Sequence, residues 1–445
     1  MSSWGVMSAR KPRIAWFVSL NPSWAAPRTV SHYAADLLIP RLRDEFEIEV
    51  FSHHYCGEYL GCRRSHYLTA FQRHRADPFD LFFYHCADDP RERFIRMHIG
   101  LMPGVSWLHD LFIRDLGAEG MHTSPWQHTV RQYLDPSVPF ARRTPPPPHV
   151  WPGAYRETAL SPVVVLPASS LVDEFSQWRH LRVEAFPGAH ATEFLPLPVV
   201  TDRVQDLPRS RGSMRLALRA DARRDGRTFV LFPALERLSR SWTLVWSVSP
   251  GERREAERIL KEFSLGDRVA LRDDVFFNEW RSIVGESDCA FHFGSPSAGN
   301  VSPYLEIALA VGCPSVVMDH GRTSSIPSDV AFKIDPGINE TAQLRAVIDE
   351  ICRVDRSALS LRGREYVQRE HNVSRVATRL AQIFITSAPL LRGAMDRWTV
   401  LQASAVEGLK TDLCEIIDAP IRGVPNASEA LVEPWLEELM GGAFR

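Results

Sequence analysis

A chain of 445 residues with a formal net charge of −2 is long enough for two ordinary domains and too evenly charged for the basic footprint of a nucleic-acid binder. Hydrophobic residues make up 44 %, yet no run approaches the roughly 18 apolar residues of a membrane span. Seven cysteines, several inside apolar runs (Cys86, Cys289, Cys352), and an N-terminus without a signal-peptide core lead us to expect a reducing, cytoplasmic compartment, with peripheral membrane attachment left open.

In chain order, RIAWFVSL (13–20) reads as a buried strand, VSHYAADLLIPRL as an amphipathic helix and EIEVFS as a second strand. This opening predicts a right-handed parallel crossover. No GxGxxG follows the first strand, so the dinucleotide fingerprint is absent. His53, His54, Cys56, Cys62, His66 and His74 crowd the stretch up to Arg75. Zinc ligands come in tighter pairs, so the stretch reads as a histidine-rich loop and no metal is expected. PFDLFFYHCADDP gives a third strand and a polar loop with Asp88, RERFIRMHIGLM a helix, and VSWLHDLFI an apolar run broken by His109 and Asp110. A histidine there is either a buried structural residue or a site residue at a strand end, where open α/β sheets bind ligands. Residues 119–162, with RRTPPPPHVWPG at their centre, read as irregular and stiff: a surface linker, or a lid carrying Trp126, Trp151 and Tyr155. VVVLPASS is a strand and a helix start, and FLPLPVV closes the first half. TDRVQDLPRSRGS has no periodicity and reads as a linker.

The second half restarts the alternation. MRLALRA, WTLVWSVS and DRVALRDD are strands, each followed by a helical pattern. CAFHFGSPSAGNVSPYLEIALAVGCPSVVMDHG then reads as strand, glycine-bearing loop, helix and strand, with Ser302 as N-cap, Pro303 at the first helical position and Gly312 at the end. A helix starting there offers free N–H groups and a positive dipole end: an anion site, or an ordinary strand–helix corner. AFKID and helices from Glu340 and Leu359 follow. The expected fold is therefore α/β: two Rossmann-like, doubly wound domains (12–200 and 213–388) joined by a linker (201–212), with a cleft between them. Residues 389–445 form an expected helical tail. Val400, Leu401, Val406, Leu409, Leu413 and Ile416, then Leu431, Trp435, Leu436 and Leu439, suggest a helical hairpin with one apolar face. That face packs on the protein's own core, or serves self-association or a protein partner.

These motifs, in this order, resemble the retaining glycosyltransferases of the GT-B fold, in particular the large family-four group acting on nucleotide sugars. The resemblance spans about residues 12–388. It rests on PFDLFFYHCADDP followed by PGVSWLHDL, on FLPLPV before the linker, on LALRADARRDGRTFVLFPALERL, and on the stretch from Gly299 to Gly321. It implies a hexosyl-type transferase that moves a sugar from a nucleotide sugar, such as a UDP- or GDP-sugar, to a hydroxyl acceptor with retention. It implies no cofactor and no metal, the departing diphosphate being neutralised by basic side chains and a helix N-terminus. Arg219 and Arg224 match the family's basic pair, with Arg223 and Arg227 near enough to substitute. Cations at a helix start oppose its dipole, so an anionic partner would explain them. His109 resembles the histidine that contacts the donor sugar from the other domain. Arg272 to Val275 would flank the nucleobase, Val301 and Ser302 the distal phosphate, and Asn300 and Glu306 the sugar. Asp88, Asp110 and Tyr33 would line the acceptor side. One departure stands out. Anchored on Gly312, the family's second glutamate falls on Ile307, with Glu306 one residue early, and the first falls near Gly299 or Asn300. This keeps an alternative open: a degenerate glycosyltransferase-like protein that supports a catalytic partner.

Overall fold

In a computed structural model the chain forms two largely parallel sheets, one from each half of the sequence. The structure describes residues 10–20, 29–53, 57–87, 89–99, 101–109, 161–178, 191–201, 213–220, 222, 227–238, 240–248, 250–273, 275–293, 303–319, 321–337, 339–354 and 356–418.

The first sheet contains β1 (Arg13–Phe17), β2 (Glu47–Ser52), β3 (Gly57–Tyr59), β4 (Cys62–His66), β5 (Leu81–Cys86), β6 (Val105–Leu108), β7 (Val163–Leu166) and β8 (Ala191–Phe194), in the order β3-β4-β2-β1-β5-β6-β7-β8. Every pairing is parallel except β3 with β4. Its helices are α1 (Val30–Leu42), α2 (Ala70–Ala76), α3 (Arg93–Ile99) and α4 (Ser169–Trp178). The strands are apolar runs because both faces are covered. Trp16, Phe83 and Trp107 face one core, and Phe17, Tyr84 and Leu108 the other.

The stretch expected to be a histidine-rich loop instead holds β3, β4 and α2. Leu60 and Gly61 both take positive φ, 54° and 77°, which is the geometry of a two-residue hairpin turn matched to strand twist. Leucine disguises that turn in the sequence. In β4, Cys62 and Ser65 are buried, and Ser65 donates to the buried Glu49 at 2.5 Å. His66 Nδ1 and His74 Nδ1 accept from the backbone amides of Leu68 and Phe79. Among the described residues no cluster of His, Cys, Asp and Glu could hold a metal, and no helix is long and apolar enough to cross a membrane.

The second sheet contains β9 (Met214–Arg219), β10 (Trp242–Val248), β11 (Val269–Asp273), β12 (Cys289–His292), β13 (Ser315–Met318) and β14 (Phe332–Ile334), all parallel, in the order β11-β10-β9-β12-β13-β14. This is the doubly wound order whose direction reverses between its first and fourth strands. On one face Leu216, Leu218, Trp246 and Phe291 pack against α5 (Thr228–Glu236), α6 (Arg253–Glu262) and α9 (Glu340–Arg353). On the other, Ala217, Ala290 and Val317 pack against α7 (Phe277–Gly285), α8 (Tyr304–Val311) and α10 (Arg356–Glu370).

The last described helix, α11 (Val373–Asp418), returns to the first sheet. Val376, Leu380, Phe384 and Leu391 join the core of Trp16, Phe83 and Trp107. The Phe384 ring lies 5.1 Å from that of Phe83 and 5.6 Å from that of Phe46. The helix runs straight through the expected boundary at residue 388, and Leu391 and Ala394 are core residues. The first arm of the expected hairpin is therefore a continuation of the closing helix, and its second arm lies outside the described residues. The two passages between the sheets run side by side. Val199 forms a parallel bridge with Asn372, its amide donates to the His371 carbonyl at 2.8 Å, and His371 Nδ1 donates to the Leu197 carbonyl at 2.8 Å.

Phe384→Ala should cost about 3–5 kcal/mol, the transfer and cavity terms for a buried aromatic ring. Urea unfolding measures this. A loss below about 1 kcal/mol would mean that α11 does not close the N-terminal core.

Candidate donor-binding site

In open parallel sheets ligands bind beyond the carboxyl ends of the strands, at the pair where the order reverses. Here that pair is β9 and β12. Their last paired residues are Arg219 and His292.

Arg219 is half-buried. Its Nη1 donates to the Ser247 carbonyl at 3.1 Å and to Ser247 Oγ at 3.4 Å, from the neighbouring end of β10. Its guanidinium carbon lies 4.9 Å from the ring centroid of Tyr304, the first residue of α8. Tyr304 is fixed in turn. Its hydroxyl donates to the Val275 carbonyl at 2.9 Å, and Trp280 Nε1 donates to its own carbonyl at 2.9 Å. Its ring packs 5.1 Å from Phe277 and 5.5 Å from Trp280. α8 stops at Gly312, whose φ of 78° favours glycine and where a Cβ would meet Arg364 Nε at 2.6 Å.

Glu306 lies in the first turn of α8, fully buried, and accepts from Arg322 Nη1 at 2.8 Å. Arg322 belongs to the short turn Gly321–Ser325 after β13. His292 is pushed down to about 3 by burial and by the Arg322 guanidinium, so it is a neutral imidazole. Among the described residues its Nε2 has no hydrogen-bond partner. Tyr33, on α1, packs 4.4 Å from Phe277, and burial followed by the Glu306 charge raises its hydroxyl well above the ordinary range.

The structure thus gathers Arg219, Val275, Glu306 and Tyr33 around Tyr304 and Phe277. Arg272, exposed on β11, pairs in register with Ser247. Arg227 is placed differently: it caps α5 with φ 51° and is ion-paired to Glu340, which also accepts from the Gly337 amide at 2.7 Å. His109 follows β6 in the other sheet and is fully enclosed. Its Nε2 lies 2.9 Å from His85 Nδ1, and its ring 4.8 Å from that of Trp107. Arg223, Arg224, Asn300, Val301, Ser302, Asp88 and Asp110 lie outside the described residues. The sequence reading missed Ser247, His292, Tyr304 and Arg322. Only His292 left a trace there, as the polar residue that closes an apolar strand.

No family model matches the sequence, and no curated protein does. Solved structures do match, and they define the class: the chain has the GT-B glycosyltransferase fold. Sucrose-phosphate synthase from Thermosynechococcus elongatus aligns with a TM-score of 0.60 at 15 % identity, over 84 % of this chain and 98 % of its own. HepE from Anabaena, solved with UDP-glucose, aligns with a TM-score of 0.59 at 13 % identity, over 84 % and 99 %. A glycosyltransferase from Rickettsia africae aligns at 0.59 and 11 % identity, over 85 % and 98 %.

The buried histidines make stability depend on pH. Burial pushes His109 down to about 3, against about 6.5 in an unfolded chain. The unfolded state therefore takes up the proton first, and stability falls as pH drops from about 7 toward 3. At pH 5 the contribution of His109 alone is about 2 kcal/mol. Urea unfolding at pH 7 and pH 5 should show a loss smaller by that amount in His109→Gln. An unchanged pH dependence would mean that the imidazole protonates freely in the fold.

Proposed function

We propose that the protein transfers a sugar from a nucleotide sugar to a hydroxyl acceptor with retention of configuration. The observation that carries this reading is Arg219. It is a half-buried cation at the sheet's switch point, set beside the start of α8, and its contacts among the described residues are to neutral groups. A departing nucleoside diphosphate needs such an arrangement, because negative charge grows on it as the sugar bond breaks. The N-terminus of α8 adds a positive dipole end. Arg224 is the expected second cation, and the segment from Arg272 to Val275 the expected nucleobase side. The GT-B fold, and the UDP-glucose bound in HepE, support a nucleoside diphosphate sugar as the donor class.

One observation favours a second reading. The Glu306 carboxylate, nearest in sequence to the family's glutamate position, is committed to Arg322. A protein that binds the nucleotide without turning it over would carry such a site. Donor hydrolysis followed by mass spectrometry, beside nucleotide binding, separates the two. Binding without sugar release would establish the second reading.

Arg219→Ala should weaken UDP or GDP binding about ten- to a hundredfold, the loss of a charge-assisted contact. Isothermal titration reads this, and wild-type affinity in the variant would remove the donor-site assignment. Sugar transfer should also survive EDTA, because the arginines and α8 carry the leaving-group charge. Activity lost to the chelator and restored by manganese would overturn the metal-independent mechanism.

A further inference from the structure

We infer that Tyr304 is a positioning residue of the donor site, one that holds the Arg219 cation against the first turn of α8 for a nucleoside diphosphate; this rests on the donor-site reading above. An arginine side chain has many rotamers, and a cation that meets a diphosphate has to be kept in one of them. A carboxylate could do so only by cancelling the charge, as Glu340 does for Arg227. An aromatic face holds the guanidinium through the ring quadrupole and leaves its net charge in place.

Tyr304 is built for that task. Its hydroxyl is anchored on Val275, its backbone carbonyl on Trp280 Nε1, and its ring lies against Phe277 and Trp280. Arg219 stands 4.9 Å from the ring centroid, with Nη1 tied to Ser247. One side chain therefore joins three parts of the site: the end of β9, the start of α8, and the turn after β11 where the family resemblance would put the nucleobase. The chain of rings continues through Phe277 to Tyr33 on α1, so the platform is also braced from the other half of the molecule.

The test is titration of the full-length protein with UDP and GDP, using whichever binds more tightly, with melting temperatures recorded for every variant. Tyr304→Phe keeps the ring and should stay within about twofold of wild type. Tyr304→Leu removes the face and should weaken binding about three- to thirtyfold. In an Arg219→Ala background the same Leu substitution should cost nothing further, because Tyr304 acts through Arg219. An equal loss in both backgrounds would reveal a general packing defect and overturn the inference. So would wild-type affinity in Tyr304→Leu alongside a normal loss in Arg219→Ala. If Tyr304→Leu does not fold, Tyr304→Phe decides: retained affinity supports the role of the ring, and a loss as large as that of Arg219→Ala overturns it. Wild-type affinity in Arg219→Ala would overturn the donor-site reading and this inference with it.

Discussion

Between β9 and β12 the strand order of the second sheet reverses, and right-handed crossovers oblige the helices that follow these two strands to leave on opposite faces. Among the described residues no helix or strand then covers the carboxyl ends of that pair. The gap falls where Arg219 and His292 end their strands in register. α8 begins beside it because its strand, β12, ends there. The helix brings the positive end of its dipole toward the site. It also brings its first turn, and Tyr304 with it. Placement of the cation, of the neutral histidine and of the helix start thus follows from one strand pairing and from the handedness of the chain.

Several contacts among the described residues hold the two halves to one another, including α4 against the Gly321–Ser325 turn. Val199, His371 and Asn372 tie the two passages of the chain into a single two-stranded crossing. Beyond it, α11 buries Phe384 and Leu391 in the core of the first sheet. A helix that begins at the crossing and ends up in the opposite core fixes the sequence position at which the second half must finish. Tyr33 against Phe277 is a separate contact, nearer the proposed donor site. Motion of one half against the other would bend the crossing and slide the rings. The first is backbone hydrogen bonding and stiff. The second is aromatic packing without hydrogen bonds and can re-form in a new register.

Much of this was legible in the sequence, for a physical reason. Strands buried on both faces must be continuous apolar runs, so RIAWF, LFFYHC, WTLVWSV and CAFH announce themselves. Edge strands need no such run. β3, the edge strand, is only Gly57–Tyr59, and β4 beside it carries Arg63, Arg64 and His66, so neither forms an apolar run and both were hidden for that reason. The length of α11 was hidden too, because Pro389 looks like a terminus although the helix passes through it. Arg219 was legible as a basic residue at a strand end. Tyr304 was not, since a tyrosine at the first position of an apolar helix looks like any core residue. Its role lies in contacts to Ser247's neighbour on β9 and to Val275 on another turn, which only the fold brings near.

Charge pairing at the sheet's carboxyl edge separates several structural cations from Arg219, whose contacts among the described residues are to neutral groups. Arg227 answers Glu340, Arg322 answers Glu306, and Lys333 lies 3.1 Å from Asp319. Each of these pairs is partly or fully out of water, where an unmatched ion would cost several kcal/mol. Removing one partner from such a pair is expensive, so these residues are poorly placed to release a charge toward a ligand. Arg219 is half-buried as well, yet its desolvation is met by a carbonyl, a hydroxyl and a ring face. Those groups lower the cost of burial without opposing the charge, so its field still acts on whatever enters beside α8. Glu306 fits the same logic. With its carboxylate neutralised by Arg322, it adds little negative potential at the first turn of the helix, where a diphosphate would otherwise be repelled. Among the described residues the glutamate in the first turn of α8 is ion-paired to Arg322, so the departure from the family pattern seen in the sequence coincides in the fold with a carboxylate already matched by a cation.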